Sequence, residues 1–193
     1  MSLSNVLPAN IITLILNQLH NGSDRDLVVL ANVDKFCRCV VGKYANKYQI
    51  KWPLIVCHEF AANGQLELLK WARHMNCPWD WQTTIYAAKN GHLELLKWAR
   101  ANGCEWNVMI CAVAAENGHL EVIKWARENG CEWDAYTCAF AAKKGHLDIL
   151  QWLRSNGCEW SGMTTTYASR FKHPEVLQWA LENECPGVHW SYW

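Results

Sequence analysis

Proline is scarce, 5 in 193 residues, and no Pro-rich or Gly/Ser-rich stretch interrupts the chain, which speaks against separate bodies on a flexible linker. No excess of either charge exists: 18 basic residues face 18 acidic ones and no Lys/Arg run occurs, so neither nucleic acid nor an anionic membrane is an expected partner. Long apolar runs are missing as well. A spanning helix needs roughly 18 apolar residues, and the stretch from Val6 to Leu19 is broken by Pro8, Asn10, Asn17 and Gln18. No export signal is recognisable, so the expected setting is the cytoplasm or, by diffusion, the nucleus, with reduced thiols. Glycine-rich phosphate loops, nucleophile elbows and carboxylate pairs outside the repeated pattern are absent too, which argues against an enzyme and against any cofactor.

What the chain has in abundance is tryptophan, 13 residues, and cysteine, 10, and both are periodic. A step of 27 residues links Trp71, Trp98, Trp125, Trp152 and Trp179. The same step links Trp52, Trp79, Trp106, Trp133 and Trp160, and then Cys77, Cys104, Cys131, Cys158 and Cys185. Five units follow, at about 52–78, 79–105, 106–132, 133–159 and 160–186.

Each unit reads as helix, tight turn, helix. In the fourth, Asp134 is a candidate N-cap, Ala135 to Lys143 a first helix, Lys144 and Gly145 a turn, and Leu147 to Arg154 a second helix. Asp80, Asn107 and Ser161 are the equivalent caps of other units. Acids near the start of the second helix (Glu67, Glu94, Glu121, Asp148, Glu175) and arginines near its end (Arg73, Arg100, Arg127, Arg154) suit the helix dipole. Helices this short are below the ~12 to 15 residues needed for marginal stability alone, so each unit must bury a face on its neighbours. The expected architecture is an all-α solenoid. Leu93, Leu96 and Ala99, repeated as Leu120, Ile123 and Ala126, predict the core stripe of the second helix. Alanine pairs such as Ala114 and Ala115 predict close approach of the first helices.

The run AAENGHLEVIKWARENG, Ala114 to Gly130, resembles the second half of an ankyrin repeat in its Ala-Ala pair, its Asn-Gly-His turn and its Leu-Glu-Val opening. The resemblance covers residues from about 52 to 185. Each unit is shorter than the usual ~33 residues, and the missing part is where that family carries its hairpin finger. A Cys-x-Trp segment joins the units instead, which moves the expected contact surface to the first helices.

Residues 1–50 lie outside the repeat. Leu7-Pro8 begins a helix, since proline suits a first turn, and Ile11, Ile12, Ile15, Leu16 and Leu19 supply an apolar face. After a polar loop, Leu27, Leu30 and Val33 begin a second apolar segment. This stretch resembles an F-box, the helical module that docks on the Skp adaptor of cullin-RING ubiquitin ligases. The resemblance assigns Leu7, Pro8, Ile11, Ile15, Leu16, Leu19 and Leu27 to adaptor contact. Asn10 stands where that family usually has Glu, and the loop between Leu19 and Asp26 is longer than usual. An F-box joined to short, Trp-rich ankyrin repeats is also similar to proteins of large DNA viruses of amoebae.

Scaffold positions repeat between units, whereas contact positions need not. Three, seven and ten residues after the ladder tryptophan stand Gln82, Tyr86 and Lys89; Met109, Val113 and Glu116; Tyr136, Phe140 and Lys143; and Met163, Tyr167 and Arg170. The spacing puts each trio on one helical face, and stacked they predict a groove with an aromatic and Met centre and a charged margin. Inward packing of Tyr86, Phe140 and Tyr167 between the helices of a unit is the competing reading. Trp81, off the ladders, is a candidate anchor for a partner.

His92, His119 and His146 also recur at the same interval, but the clustered ligands of structural zinc are missing and Cys37-x-Cys39 is too tightly spaced, so no metal site is expected. The turn histidines are ankyrin-like and are expected to bond the backbone of a neighbouring turn. Cys111 and Cys138, on apolar first helices, read as small core residues rather than redox thiols. Ladder cysteines of successive units are expected about 8 to 10 Å apart, beyond disulfide reach. In the last unit Lys172 replaces the turn glycine, Pro174 replaces the leucine and Gly187 ends the tryptophan ladder, as suits the end of a stack. Together these readings predict a monomeric adaptor whose first fifty residues dock on a Skp adaptor while the repeats hold an unidentified target protein. The alternative is a ligase-independent scaffold or blocker whose first fifty residues only cap the stack.

Overall fold

In the computed structural model of the protein, residues 54–187 are described. Ten helices and no strand occur among them. They are α1 Ile55–Ala62, α2 Leu66–His74, α3 Trp81–Lys89, α4 Leu93–Ala101, α5 Met109–Glu116, α6 Leu120–Glu128, α7 Ala135–Lys143, α8 Leu147–Ser155, α9 Gly162–Arg170 and α10 Pro174–Glu182. The described residues fall into two units that divide after Asp80. The segment read as an F-box, including Leu7, Pro8, Ile11, Ile15, Leu16, Leu19 and Leu27, lies outside the described residues, as do Trp52, Trp190 and Trp193.

In the first unit α1 packs on α2, burying Val56, Phe60 and Leu69. Its His58 Nε2 lies 2.8 Å from Asp80 Oδ1.

In the second unit α3, α5, α7 and α9 pack side by side, and each first helix also packs on its own second helix. Small residues permit this. Ala87, Ala88, Ala114, Ala115, Ala141, Ala142 and Ala168 are fully buried, so no side-chain bulk separates the first helices. Three of the four expected caps bond the helix that follows: Asp134 accepts the N–H of Tyr136, Ser161 that of Met163 and Asn107 that of Met109. Pro174 occupies the first turn of α10, where its missing N–H costs nothing.

The turn after each first helix closes in the same way. His92 N–H returns to Ala87 C=O at 2.9 Å and Gly91 N–H to Ala88 C=O at 3.2 Å, the paired bonds of a Schellman end. Its left-handed residue is glycine at Gly91, Gly118 and Gly145, and Lys172 takes the same conformation with φ +62°. The Cys104-Glu105-Trp106 segment and its last counterpart, Cys185-Pro186-Gly187, are held by the first helices, through Thr84 Oγ1 to Glu105 C=O and Thr165 Oγ1 to Pro186 C=O, both 2.9 Å.

One sequence expectation shifts. The buried stripe of α4 is Leu95, Leu96 and Ala99, and that of α6 is Val122, Ile123 and Ala126, while Leu93 and Leu120 are only half-buried. At 3.6 residues per turn the opening leucine lies roughly 110° from the centre of the stripe. It therefore sits at the edge of the core.

Candidate functional site

The open edge of the first-helix layer carries all thirteen residues named for target contact. Trp81, Lys89, Tyr136 and Arg170 are exposed, and Gln82, Tyr86, Met109, Val113, Glu116, Phe140, Lys143, Met163 and Tyr167 are half-exposed. Tyr86, Phe140 and Tyr167 thus do not join the buried core between the helices of a unit. The alternation on α7 shows why: Thr137, Cys138, Ala139, Ala141 and Ala142 fill the buried side, and Tyr136, Phe140 and Lys143 occupy the remaining face of a helix too short to hide it.

The structure joins some of these residues into one surface. Tyr136 touches Phe140 at 6.2 Å between ring centroids, Phe140 stacks on Tyr167 at 6.4 Å with planes 13° apart, and Tyr167 meets Phe171 edge-on at 6.0 Å. The stripe crosses from α7 to α9 and ends at the C-cap of α9. Tyr136 and Phe171 are 49% and 43% exposed, so both of its ends face solvent. Lys143 stands in the middle. Its Nζ lies 5.5 Å from the Phe140 centroid and 5.7 Å from that of Phe171, and 2.7 Å from Glu116 Oε1 on the preceding first helix.

Phe171 was not singled out by the sequence reading, although a signal existed. The equivalent positions in the other units are Asn63, Asn90, Asn117 and Lys144, and an aromatic where four polar residues precede it marks a departure from the scaffold.

The tryptophan ladders have a different task. Arg100, Arg127 and Arg154 stack over Trp106, Trp133 and Trp160 at 4.6, 4.1 and 4.2 Å, and Arg73 over Trp79 at 4.3 Å. Arg127 and Arg154 also donate to the carbonyls of Cys131 and Cys158 at 3.0 and 2.6 Å, and Arg73 donates to that of Cys77. Three loop tryptophans then meet a second-helix tryptophan edge-on: Trp106 with Trp125, Trp133 with Trp152 and Trp160 with Trp179, at 5.5 to 5.9 Å. Arginine and indole contacts thus bind loop to helix and unit to unit. A shallow cavity of about 510 Å³ between Arg154, Trp160, Trp179 and Asn183 belongs to this scaffold.

His119 and His146 make the backbone bond expected of them, and His173 makes it too. His119 Nε2 lies 3.0 Å from Lys89 C=O, His146 Nε2 3.2 Å from Glu116 C=O, and His173 Nε2 3.2 Å from Lys143 C=O. Each ring also covers the turn glycine of the preceding unit: a Cβ on Gly91 or Gly145 would come within 2.6 or 2.5 Å of it. Among the described residues no three His, Cys, Asp or Glu side chains are grouped to hold a metal.

All eight described cysteines are buried. They come together in a way that the ladders did not reveal, within a unit rather than between units. The neighbouring thiols of Cys131 and Cys158, followed by burial, hold the thiols of Cys111 and Cys138 above their ordinary value, while Cys131 Sγ and Cys158 Sγ donate to the carbonyls of Asn107 and Asp134 at 3.6 and 3.5 Å. The neighbouring Cys111 thiol moves Cys131 down. Burial pushes Cys185 up.

With this geometry in view, the comparisons with known proteins fit it. The family profile for ankyrin repeats (many copies) matches residues 84–125 and 111–154. Among solved structures, the crystal structure of the human ASB11 ankyrin repeat domain aligns with a TM-score of 0.54 at 18% identity, over 67% of this chain and 69% of that one. No curated protein matches the chain. Residues 84–154 thus match ankyrin repeats, and the fold of the described helices is all-α and similar to that of the ASB11 domain. Among the described residues, no helix is long and apolar enough to cross a membrane.

Proposed function

We propose that the protein is a non-catalytic adaptor whose first-helix face holds a target protein and whose first fifty residues dock on the Skp adaptor of a cullin-RING ubiquitin ligase. The observation that supports target binding is the unbroken ring contact from Tyr136 through Phe140 and Tyr167 to Phe171, left open at both ends. A run of touching aromatics at the surface gains little for the fold that the interior does not already supply, and exposed apolar patches of this kind mark interaction sites. Tyr86, Met109, Val113 and Met163, at the equivalent positions of the first helices, and the exposed Trp81 would extend that run.

The ligase half rests on the F-box resemblance of Leu7, Pro8, Ile11, Ile15 and Leu16. Its setting would be the cytoplasm, that of a host cell if the similarity to viral proteins is followed. The test is Leu7→Ala with Pro8→Ala in the full chain, mixed with purified Skp adaptor on size exclusion. Loss of the shifted complex with unchanged thermal stability supports the adaptor. Loss of stability with no complex for either chain favours the alternative, a scaffold or blocker in which these helices cap the stack.

A further inference from the structure

The formal charge of zero conceals a segregation. Between residues 81 and 187, the first helices and the turns that follow them carry five cations, Lys89, Lys143, Lys144, Arg170 and Lys172, against one carboxylate, Glu116. The second helices and their loops carry five cations against eleven carboxylates. The cations of the two sides are also employed differently. Lys97 and Lys124 pair with Glu94 and Glu121 on their own helices, and Arg100, Arg127 and Arg154 lie on tryptophan rings. On the first-helix side Lys143 is the one lysine or arginine with an ion pair among the described residues, to Glu116. Lys89, Lys144, Arg170 and Lys172 are exposed and have no ion pair among the described residues.

These four free cations share one end of the first-helix layer, the last residue of the helix or the turn after it, and Phe171 sits among them. We propose that the partner of this face is an acidic protein segment with aromatic or large aliphatic side chains. Its apolar residues cover the Tyr136 to Phe171 stripe, and its carboxylates pair with Lys144, Arg170 and Lys172, and with Lys89 at the far side. This deepens the target-binding reading above and rests on it.

Aromatics beside cations also suit single-stranded nucleic acid, but the details favour a peptide. Base stacking needs a free ring face, whereas Phe140 and Tyr167 already stack on each other and the Lys143 ammonium lies over Phe140 and Phe171. The free cations cluster at helix ends instead of tracking along a groove at phosphate spacing. A carboxylate on a flexible side chain reaches such a cluster while its neighbours cover the rings.

The experiment is a selection of short random peptides displayed on phage against the full chain, with the recovered peptides synthesised and their affinities measured by fluorescence anisotropy. The expected winners are rich in Asp and Glu around aromatic or aliphatic residues, and charged contacts make their affinity fall with added salt. Charge reversal by Lys144→Glu with Lys172→Glu, both exposed and outside the core, should weaken them by about tenfold or more. Circular dichroism checks that the variant is folded. Neutral or basic winners that Phe171→Ser weakens but the charge reversal does not would overturn the acidic partner while leaving the aromatic face as a target site. Winners unaffected by both Phe171→Ser and Phe140→Ala overturn the face itself. Failure to recover any binder, or tighter binding of a single-stranded oligonucleotide than of any peptide, also overturns the proposal.

Discussion

Lys143 Nζ lies 2.7 Å from Glu116 Oε1, 27 residues back in the chain and one helix across in the stack. Lysine and glutamate thus occupy the same repeat position in successive units, and this difference between the two units becomes a bond between them. Both side chains keep partial exposure, 30% and 22%, so the pair contributes modestly to the fold. Glu116→Gln is expected to lower stability by no more than ~1 kcal/mol in urea titration. The same substitution frees the Lys143 ammonium, and affinity for an acidic peptide should rise. A large stability loss would instead make the pair structural.

The histidine lock over the turn glycine separates two kinds of glycine. Gly145 has φ +77° and a Cβ there would stand 2.5 Å from His173 Nδ1, whereas Gly157 has φ +79° and open space around it. Gly157→Ala should cost only the left-handed strain, ~1 to 2 kcal/mol. Gly145→Ala must also displace the ring that bonds Lys143 C=O, and the expected loss exceeds that of Gly157→Ala by ~1 kcal/mol or more. Equal losses in paired denaturant titrations would remove the lock.

Thr137 Oγ1 is buried with no hydrogen-bond partner among the described residues, and the equivalent residue one unit earlier is Ile110, fully buried. An unsatisfied buried hydroxyl costs ~1 to 3 kcal/mol, and an apolar group of the same shape removes that cost. Thr137→Val is therefore expected to raise the unfolding midpoint by a few degrees. A lower midpoint in calorimetry would show that the hydroxyl has a partner in solution.

Cys138 gives the alkaline limit of stability. The neighbouring Cys158 thiol, then burial, raises its pKa in the fold, so above the ordinary thiol value of about 8.5 the unfolded chain releases a proton that the folded chain keeps. Fewer protons on the unfolded state mean that stability declines as pH rises. The stabilisation is complete below about pH 8 and falls through pH 9 and 10. Cys138→Ala should flatten that decline in urea titrations at pH 7 and pH 10, and an unchanged slope would place its origin elsewhere.

The sequence by itself determined the repeat. A strict interval of 27 residues, caps at Asn107, Asp134 and Ser161, and helices too short to stand alone leave little besides a stack of helix pairs. Local chemistry fixes each of these: a cap needs only its own turn, and a left-handed turn needs glycine. The first-helix face was legible for the same reason, since residues at i, i+4 and i+7 share a side in any helix. The Phe171 end of the stripe, the Lys143 to Glu116 bond, the cysteine pairs within units and the half-buried place of Leu93 were decided by tertiary structure. Each depends on where one helix lies against the next, and on the few ångströms that set whether two side chains from different units touch. The separation of charge was also hidden, because a composition sums over both sides of the stack, and only folding sorts five cations and one carboxylate to one side and an excess of carboxylates to the other.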